Sequence, residues 1–191
     1  NIKHRNFDGD KPDPMLLEVF NNIFMSIAEQ MGVVLENTAQ SVTIKERLDF
    51  SCAVFDPLGN LIANAPHMPV HLGSMEASVK AVIKRNENIC NKDVYALNAP
   101  YDGGTHLPDI TVVKPVFDKS DSKLIFFVAS RGHHTDVGGL TPGSMPPDSR
   151  DIQDEGVYIE NFKIVDSGCF LKDEIKKILL TAKYPVRAID T

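Results

Sequence analysis

Two short segments of the chain place histidine beside aspartate and glycine, a combination typical of metal sites. In residues 103–109, GGTHLPD, His106 and Asp109 lie three positions apart on a turn that leads into a predicted strand. In residues 131–136, RGHHTD, two further histidines follow the next predicted strand. Imidazole nitrogens and carboxylate oxygens together bind Mn²⁺, Fe²⁺ or Zn²⁺. The residue types therefore predict a divalent-metal site shared by the two segments.

We predict that His106, Asp109 and His133 are the metal ligands. The polar turn at residues 118–123 would join the two strands as a hairpin, so that Asp109 and His133 lie at the same end. Because neighbouring residues of extended backbone point to opposite faces, only one of His133 and His134 would ligate, and the other would support it or contact substrate. Which of these two histidines would bind the metal stays open. The alternative is that both histidines bond to the backbone and the glycines only serve tight turns.

A second candidate binding site lies at the start of a predicted helix, beside His71. Ser74 is predicted to cap this helix, whose inward stripe would be Met75, Val79 and Val82. A helix N-terminus can hold an anion such as a carboxylate or phosphate, and His71 lies beside it in sequence. His67 is explained at least as well by hydrogen bonds to the backbone of a loop.

The helices and strands predicted around these residues indicate an α+β fold. It would have a mixed or antiparallel sheet, a long N-terminal helix and helices packed on the sheet. Asp13 and Pro14 begin a helix that runs to about residue 38, with Gly32 as its weak point. Its apolar residues recur at helical spacing: Leu16, Phe20, Ile23, Ile27, Met31 and Val34. Predicted strands cover residues 50–55, 61–65, 94–97, 110–117, 124–130 and 157–165, and a short last helix contains Ile175, Ile178 and Leu179.

Composition limits the classes of function. The 191 residues are 42% hydrophobic, which suits a single domain over residues 1–191, and carry a net charge of −6 without the basic stripe of a nucleic-acid-binding protein. The longest apolar run, residues 124–129, is too short to span a membrane. Three cysteines without a C-x-x-C pair predict no disulfide framework and a cytoplasmic location. Cys52 alternates with apolar residues on a strand, so we interpret it as a buried side chain rather than a nucleophile.

Nucleotide-binding motifs are absent from the sequence. Neither G-x-x-x-x-G-K-[ST] nor G-x-G-x-x-G occurs. Any ATP chemistry would therefore need another chain or domain.

Several motifs together resemble the hydantoinase B/oxoprolinase family. They are residues 44–51, 65–75, 103–109, 129–134 and 139–147, and the resemblance extends from about Asp13 to Tyr184. Residues 25–32 are most similar to the ATP-dependent 5-oxoprolinases within that family. The resemblance implies the B-type portion of an enzyme that opens a small cyclic amide, with N-methylhydantoinase and 5-oxoprolinase as the best-known activities. It also implies an A-type subunit or domain that uses ATP to phosphorylate the lactam oxygen, and an oligomeric assembly.

The same resemblance bears on individual residues. Related ketone carboxylases carry a metal in this motif region, which supports the three predicted ligands. For the hydrolytic step we assign proton transfer to His134 and Asp136, and substrate binding to His71, Ser74 and Arg131. Because family B-type portions are much longer, the chain is expected to be the N-terminal part of one. Two alternatives stay open, namely a B-like subunit of an ATP-dependent ketone carboxylase and a catalytically inert scaffold.

Overall fold

In the computed structural model, which describes residues 13–65, 68, 71–143 and 146–187, the chain forms one antiparallel sheet with helices on both faces. The strands are β1 (Phe50–Phe55), β2 (Leu61–Asn64), β3 (Val94–Leu97), β4 (Asp109–Phe117), β5 (Leu124–His133), β6 (Phe162–Asp166) and β7 (Cys169–Phe170). The helices are α1 (Pro14–Thr38), α2 (Val42–Lys45), α3 (Leu72–Arg85), α4 (Ile152–Glu155) and α5 (Lys172–Thr181). The predicted α+β class with an antiparallel sheet is confirmed.

The sheet has the order β2-β1-β5-β4-β3-β6-β7, and its centre is the β4–β5 hairpin. The hairpin forms through the predicted turn at residues 118–123, and its register pairs Asp109 directly with His133. Strand β1 pairs with β5 on the other side, so that Ser51 lies opposite Arg131. The polar residues at one end of the three strands are therefore brought to one place.

One face of the sheet, which we call the front face, is covered by α3. The predicted stripe Met75, Val79 and Val82 is buried there, against Tyr95 and Phe127 among others. The predicted cap is wrong, because α3 begins at Leu72 after His71 and Ser74 lies inside its first turn. The Ser74 hydroxyl donates to the carbonyl of His71 and accepts a hydrogen bond from Arg131, so it is committed within the fold.

The opposite face, called the rear face, is covered at the β1–β2 edge by α1. As predicted, α1 begins at Pro14 after Asp13, whose side chain accepts from the amide of Met15 at 2.9 Å. Gly32 does not interrupt the helix; it is buried, as is Ala28, which packs on Val54. In the described residues, no helix is long and apolar enough to cross a membrane.

The strand predicted over residues 157–165 is shorter than expected and covers only β6. The reason is Asn98, which is fully buried at the end of β3. Its side chain forms hydrogen bonds with backbone groups of Val157 and Ile159, just ahead of β6. Its amide nitrogen donates to the carbonyls of Leu107 and Val157, at 2.8 Å each, and its oxygen accepts from the amide of Ile159 at 2.7 Å. Asn98 therefore ties the segment that carries His106 to the rest of the sheet.

We expect Asn98→Asp to lower the free energy of unfolding by about 2 kcal/mol, because a carboxylate cannot donate to the two carbonyls it would face. Thermal or urea unfolding of the purified protein measures this loss. Asn88→Asp, at an exposed position, is the matched control and should leave stability unchanged. Equal stability of the two variants would contradict the role assigned to Asn98.

The cysteines differ sharply in environment, as predicted for Cys52. Burial raises the pKa of Cys52 to about 12, whereas Cys90 and Cys169 are exposed. We expect a thiol reagent at pH 8 to modify two thiols of the folded protein quickly and the third only after unfolding, because the thiolate is the reactive form. Counting modified cysteines by mass spectrometry checks this, and rapid modification of Cys52 would contradict the burial.

Candidate metal centre

The three predicted ligands meet at the front-face end of the β4–β5 hairpin. The His133 Nδ1 and His106 Nε2 atoms lie 3.0 Å and 3.1 Å from the Asp109 Oδ1 atom. The two ring nitrogens are 3.2 Å from each other. Asp109 is buried, whereas both histidine side chains keep some exposed surface. Three donor atoms thus converge beside solvent, within the set His106, Asp109 and His133.

Two glycines place His106 over the strand ends. Gly103 has φ +86°, and a Cβ atom there would lie 2.8 Å from the carbonyl oxygen of Ala77 in α3. At Gly104 a Cβ atom would overlap the carbonyl oxygens of Asn98 and Ala99. The loop therefore passes between α3 and the end of β3 only because both residues lack a side chain.

The donor set fits a divalent transition metal. Metal–ligand bonds of about 2.0–2.2 Å at right-angled or tetrahedral geometry put neighbouring donor atoms roughly 2.8–3.6 Å apart. The observed separations of 3.0, 3.1 and 3.2 Å all lie in that interval. Two imidazoles and one carboxylate on one side also leave positions open for water or substrate, as Mn²⁺, Fe²⁺ and Zn²⁺ sites in enzymes require.

The carboxylate at the centre is held in its ionised form. Burial by itself raises the pKa of Asp109, but hydrogen bonds from His106, His133 and His71 outweigh it and hold the pKa far below the usual range. Hydrogen bonding to Asp109 in turn raises the pKa of His133. The hydroxyl of Thr105 donates to Asp109 Oδ2 at 2.9 Å, which fixes the orientation of the carboxylate.

His71 lies on the other side of this carboxylate and is buried. Its Nε2 atom is 3.4 Å from Asp109 Oδ2 and 4.0 Å from Asp49 Oδ1. Its Nδ1 atom is 3.0 Å from the hydroxyl oxygen of Ser51, which also lies 3.2 Å from the carbonyl oxygen of Met68. Ser51 thus holds one side of the imidazole ring while Nε2 faces the two carboxylates.

Arg131, predicted to bind substrate, is fully buried behind the three ligands. Its guanidinium donates to Thr111 Oγ1 at 2.8 Å, to Ser78 Oγ at 2.7 Å and to the hydroxyl of Ser74. Burial lowers its pKa to about 10, against the opposing effect of Asp109, so it stays a cation at neutral pH. In this arrangement Arg131 links α3 to β4 and presents no surface to a substrate.

The two residues predicted to transfer protons lie apart from the three ligands. His134 leaves β5 toward the rear face, where it lines a cavity with Val42 and Ile110, and burial lowers its pKa. Asp136 accepts from the side chain of Arg187 at 2.9 Å and from the Arg187 amide at 2.8 Å. The structure thus gathers His71, Ser74 and Arg131 around the ligands but not His134 and Asp136, while His67 lies outside the described residues.

Sequence reasoning missed several residues that support the centre. Thr105, Ser51 and Asp49 all lie in the motifs 103–109 and 44–51, so their presence beside the histidines was the available signal. The backbone of His133 is also held, because its amide donates to the carbonyl of Asp49 at 3.0 Å and its carbonyl accepts from the hydroxyl of Thr43. The short helix α2, which presents Thr43, gave no detectable pattern.

Comparison with known proteins identifies the family and the shared fold of the chain. The family model described as hydantoinase B/oxoprolinase matches residues 13–190. 5-Oxoprolinase 1 of Arabidopsis thaliana is 57% identical over 168 residues, which are 87% of this chain and 13% of that protein. The crystal structure of the ATP-dependent caprolactamase from Pseudomonas jessenii superposes with a TM-score of 0.78 at 30% identity, covering 92% of this chain and 30% of the solved one.

A nucleotide-free structure of acetone carboxylase has a TM-score of 0.77 at 21% identity, over 90% of this chain and 23% of that chain, and shares the fold. The chain therefore spans only a small part of the relatives it matches. Since the family model covers nearly all of the described residues, the chain belongs to the hydantoinase B/oxoprolinase family.

Proposed function

We propose that this chain is part of the B-type component of an ATP-dependent cyclic amidohydrolase, a 5-oxoprolinase or an N-methylhydantoinase, and that it hydrolyses a phosphate-activated lactam at a metal centre. The observation that carries the proposal is the convergence of His106, Asp109 and His133 at separations that suit an ion. The identity to a 5-oxoprolinase and the likeness to a caprolactamase support a cyclic amide as substrate.

The chemistry of the substrate explains why ATP and a metal would both be needed. An amide resists attack because its nitrogen donates electrons into the carbonyl, and a phosphate ester on the carbonyl oxygen removes that resistance. When bound, a divalent metal at this centre would polarise the substrate and lower the pKa of a bound water toward neutrality. Phosphorylation falls to an A-type partner in this proposal, because the sequence carries no phosphate-binding loop.

The residues of this chain have separate tasks in the proposal. His106, Asp109 and His133 hold the ion and leave one side open to substrate. Thr105 and His71 orient the Asp109 carboxylate, and Ser51 holds the His71 ring at its Nδ1 atom. Arg131 supplies a buried positive charge behind Asp109 and positions α3, which we propose in place of direct substrate binding. The arrangement gives no support to proton transfer by His134 or Asp136.

The proposal also concerns the extent of the enzyme. We infer that residues 1–191 form one domain of a longer B-type polypeptide, because the chain matches 13% of the Arabidopsis relative and 30% of the caprolactamase chain. An oligomeric assembly and a cytoplasmic location stay predictions.

Metal removal from the complete enzyme tests the proposal. We expect one ion of Mn, Zn or Fe for each chain, and we expect chelation to stop opening of a lactam such as 5-oxoproline until one of these ions is restored. Elemental analysis and measurement of ring-opened product check this. A metal-free enzyme that opens the ring at the full rate would refute the metal centre.

Because the chain shares its fold with acetone carboxylase, a carboxylase subunit is the second candidate function. ATP hydrolysis measured with and without bicarbonate distinguishes the two candidates, because a carboxylase would hydrolyse ATP with a ketone only when bicarbonate is present. An inert scaffold, the third reading, would bind no stoichiometric ion.

A further inference from the structure

The rear face of the sheet is covered at both sides but not at its centre. Helix α1 packs over β1 and β2, where Phe24 and Ala28 contact Val54. At the other side, Ile175 and Ile178 of α5 belong to the cluster that contains Phe162 of β6. Between the two helices, the rear residues of β4 and β5 retain exposed surface, and they include Val112, Val116, Val128 and Ser130, with the exposed Lys114 between the two valines of β4.

This uncovered trough, which we call the rear groove, has the two neighbouring strands β4 and β5 as its floor. Two neighbouring strands span roughly 10 Å, close to the diameter of an α-helix with its side chains. Three adjoining cavities of about 480, 310 and 420 Å³ follow the groove from Ile27 on α1, past Ser130 of β5, to Leu179 on α5. The end of the groove beside α1 is mostly apolar, whereas the end toward α5 also presents Gln40, His134 and Asp136, so a surface with an apolar side and a polar side would fit there.

The wall formed by α1 carries an apolar stripe whose members stay well exposed in the described part of the chain. Its members recur at helical spacing and are exposed as follows: Leu16 43%, Phe20 54%, Ile23 47%, Ile27 39% and Val34 61%. A second apolar side of the same helix, formed by Phe24, Ala28, Met31 and Leu35, packs on the sheet. A helix that is apolar over so much of its circumference is normally buried on more than one side. Contiguous exposed patches of this kind exceed what soluble monomers usually show.

We propose that the rear groove is an internal docking site, filled by an apolar or amphipathic helix from the part of the same polypeptide that lies outside these 191 residues. The relatives supply the length: the chain matches 13% of the Arabidopsis 5-oxoprolinase and 30% of the caprolactamase chain. The docked helix would touch the stripe of α1 on one side and the floor of β4 and β5 below. The proposal rests on the part of the proposed function that makes this chain one domain of a longer B-type polypeptide, and it is independent of the metal.

Docking at this place would also brace the metal centre from behind. Ser130 of the floor is followed along β5 by Arg131, which faces the front, whereas Gly132 is already covered by Ile44 of α2. A helix seated on this floor is therefore separated from Arg131 by the thickness of one strand.

The test is photo-crosslinking in the complete protein, with p-benzoylphenylalanine in place of Ile27. The matched control carries the same residue in place of Leu58, which is 73% exposed on the β1–β2 turn. We expect position 27 to crosslink to peptides of the same polypeptide outside residues 1–191. In a mixture of isotopically light and heavy protein, those crosslinks should join only peptides of equal label. Position 58 should give no such product.

Each other outcome overturns the proposal. Crosslinks between light and heavy copies would show a second copy in the groove, and crosslinks to an A-type chain would show a subunit interface. Crosslinks confined to residues 1–191, or none, would show an open groove. Carbene labelling of the unmodified complete protein covers the case in which the variant does not fold. There the stripe should be labelled about fivefold less than Leu58, since buried side chains contact other residues instead of reagent. Labelling at half that of Leu58 or more, as the exposed fractions of 39–61% against 73% give for an open groove, would overturn the proposal.

Discussion

Asp109→Asn in the complete enzyme should lose the bound ion and slow ring opening by about a thousandfold. The substitution keeps the size of the side chain but removes the negative charge that His106, His133 and His71 surround. Metal binding at such a site contributes several kcal/mol to the stabilisation of the transition state, and about 1.4 kcal/mol corresponds to a factor of ten in rate. Elemental analysis together with product formation at saturating ATP measures both effects.

The matched control is Asp121→Asn, which makes the same chemical change on the exposed turn between β4 and β5. Metal content and rate should equal those of the unmodified enzyme. An Asp109→Asn enzyme that keeps both would show that the three side chains form a structural hydrogen-bonded cluster and not a metal centre. A circular dichroism spectrum like that of the parent enzyme excludes unfolding as the cause of the loss.

The proximity of His106, Asp109 and His133 could be predicted because it depends on local rules. Alternating residues in β4 and β5 and the polar turn between them fix the register, and the register brings Asp109 opposite His133. His106 needed only to lie one turn ahead of Asp109. The period of two along a strand also separates His133 from His134, although it does not say which of the two faces the front.

Sequence patterns could not predict the contacts between distant parts of the chain. Nothing in the local sequence shows that Arg131 meets hydroxyls of α3 that lie more than fifty positions earlier. The same holds for Asn98, whose bonds to Val157 and Ile159 shortened the predicted last strand. These are polar side chains buried at points where elements cross, and composition marks them as ordinary exposed residues.

Arg131→Lys should lower the free energy of unfolding by about 4 kcal/mol, because it would leave at least two of three buried hydroxyl groups without their donors at about 1–3 kcal/mol each. Lysine keeps the charge, but a single nitrogen cannot reach Thr111, Ser74 and Ser78 together. For a chain of this size the loss corresponds to a melting temperature lower by on the order of 10 °C.

Differential scanning calorimetry of the substrate-free protein measures the Arg131→Lys effect, and Arg150→Lys at an exposed position is its control. The same pair of variants distinguishes a positioning role from substrate binding. If Arg131 contacts substrate, the KM rises in a protein whose melting temperature is unchanged. If Arg131 holds α3 and the Gly103 carbonyl in place, the melting temperature falls before any substrate is added. The metal content should then fall with it, because the loop from Gly103 onward carries His106.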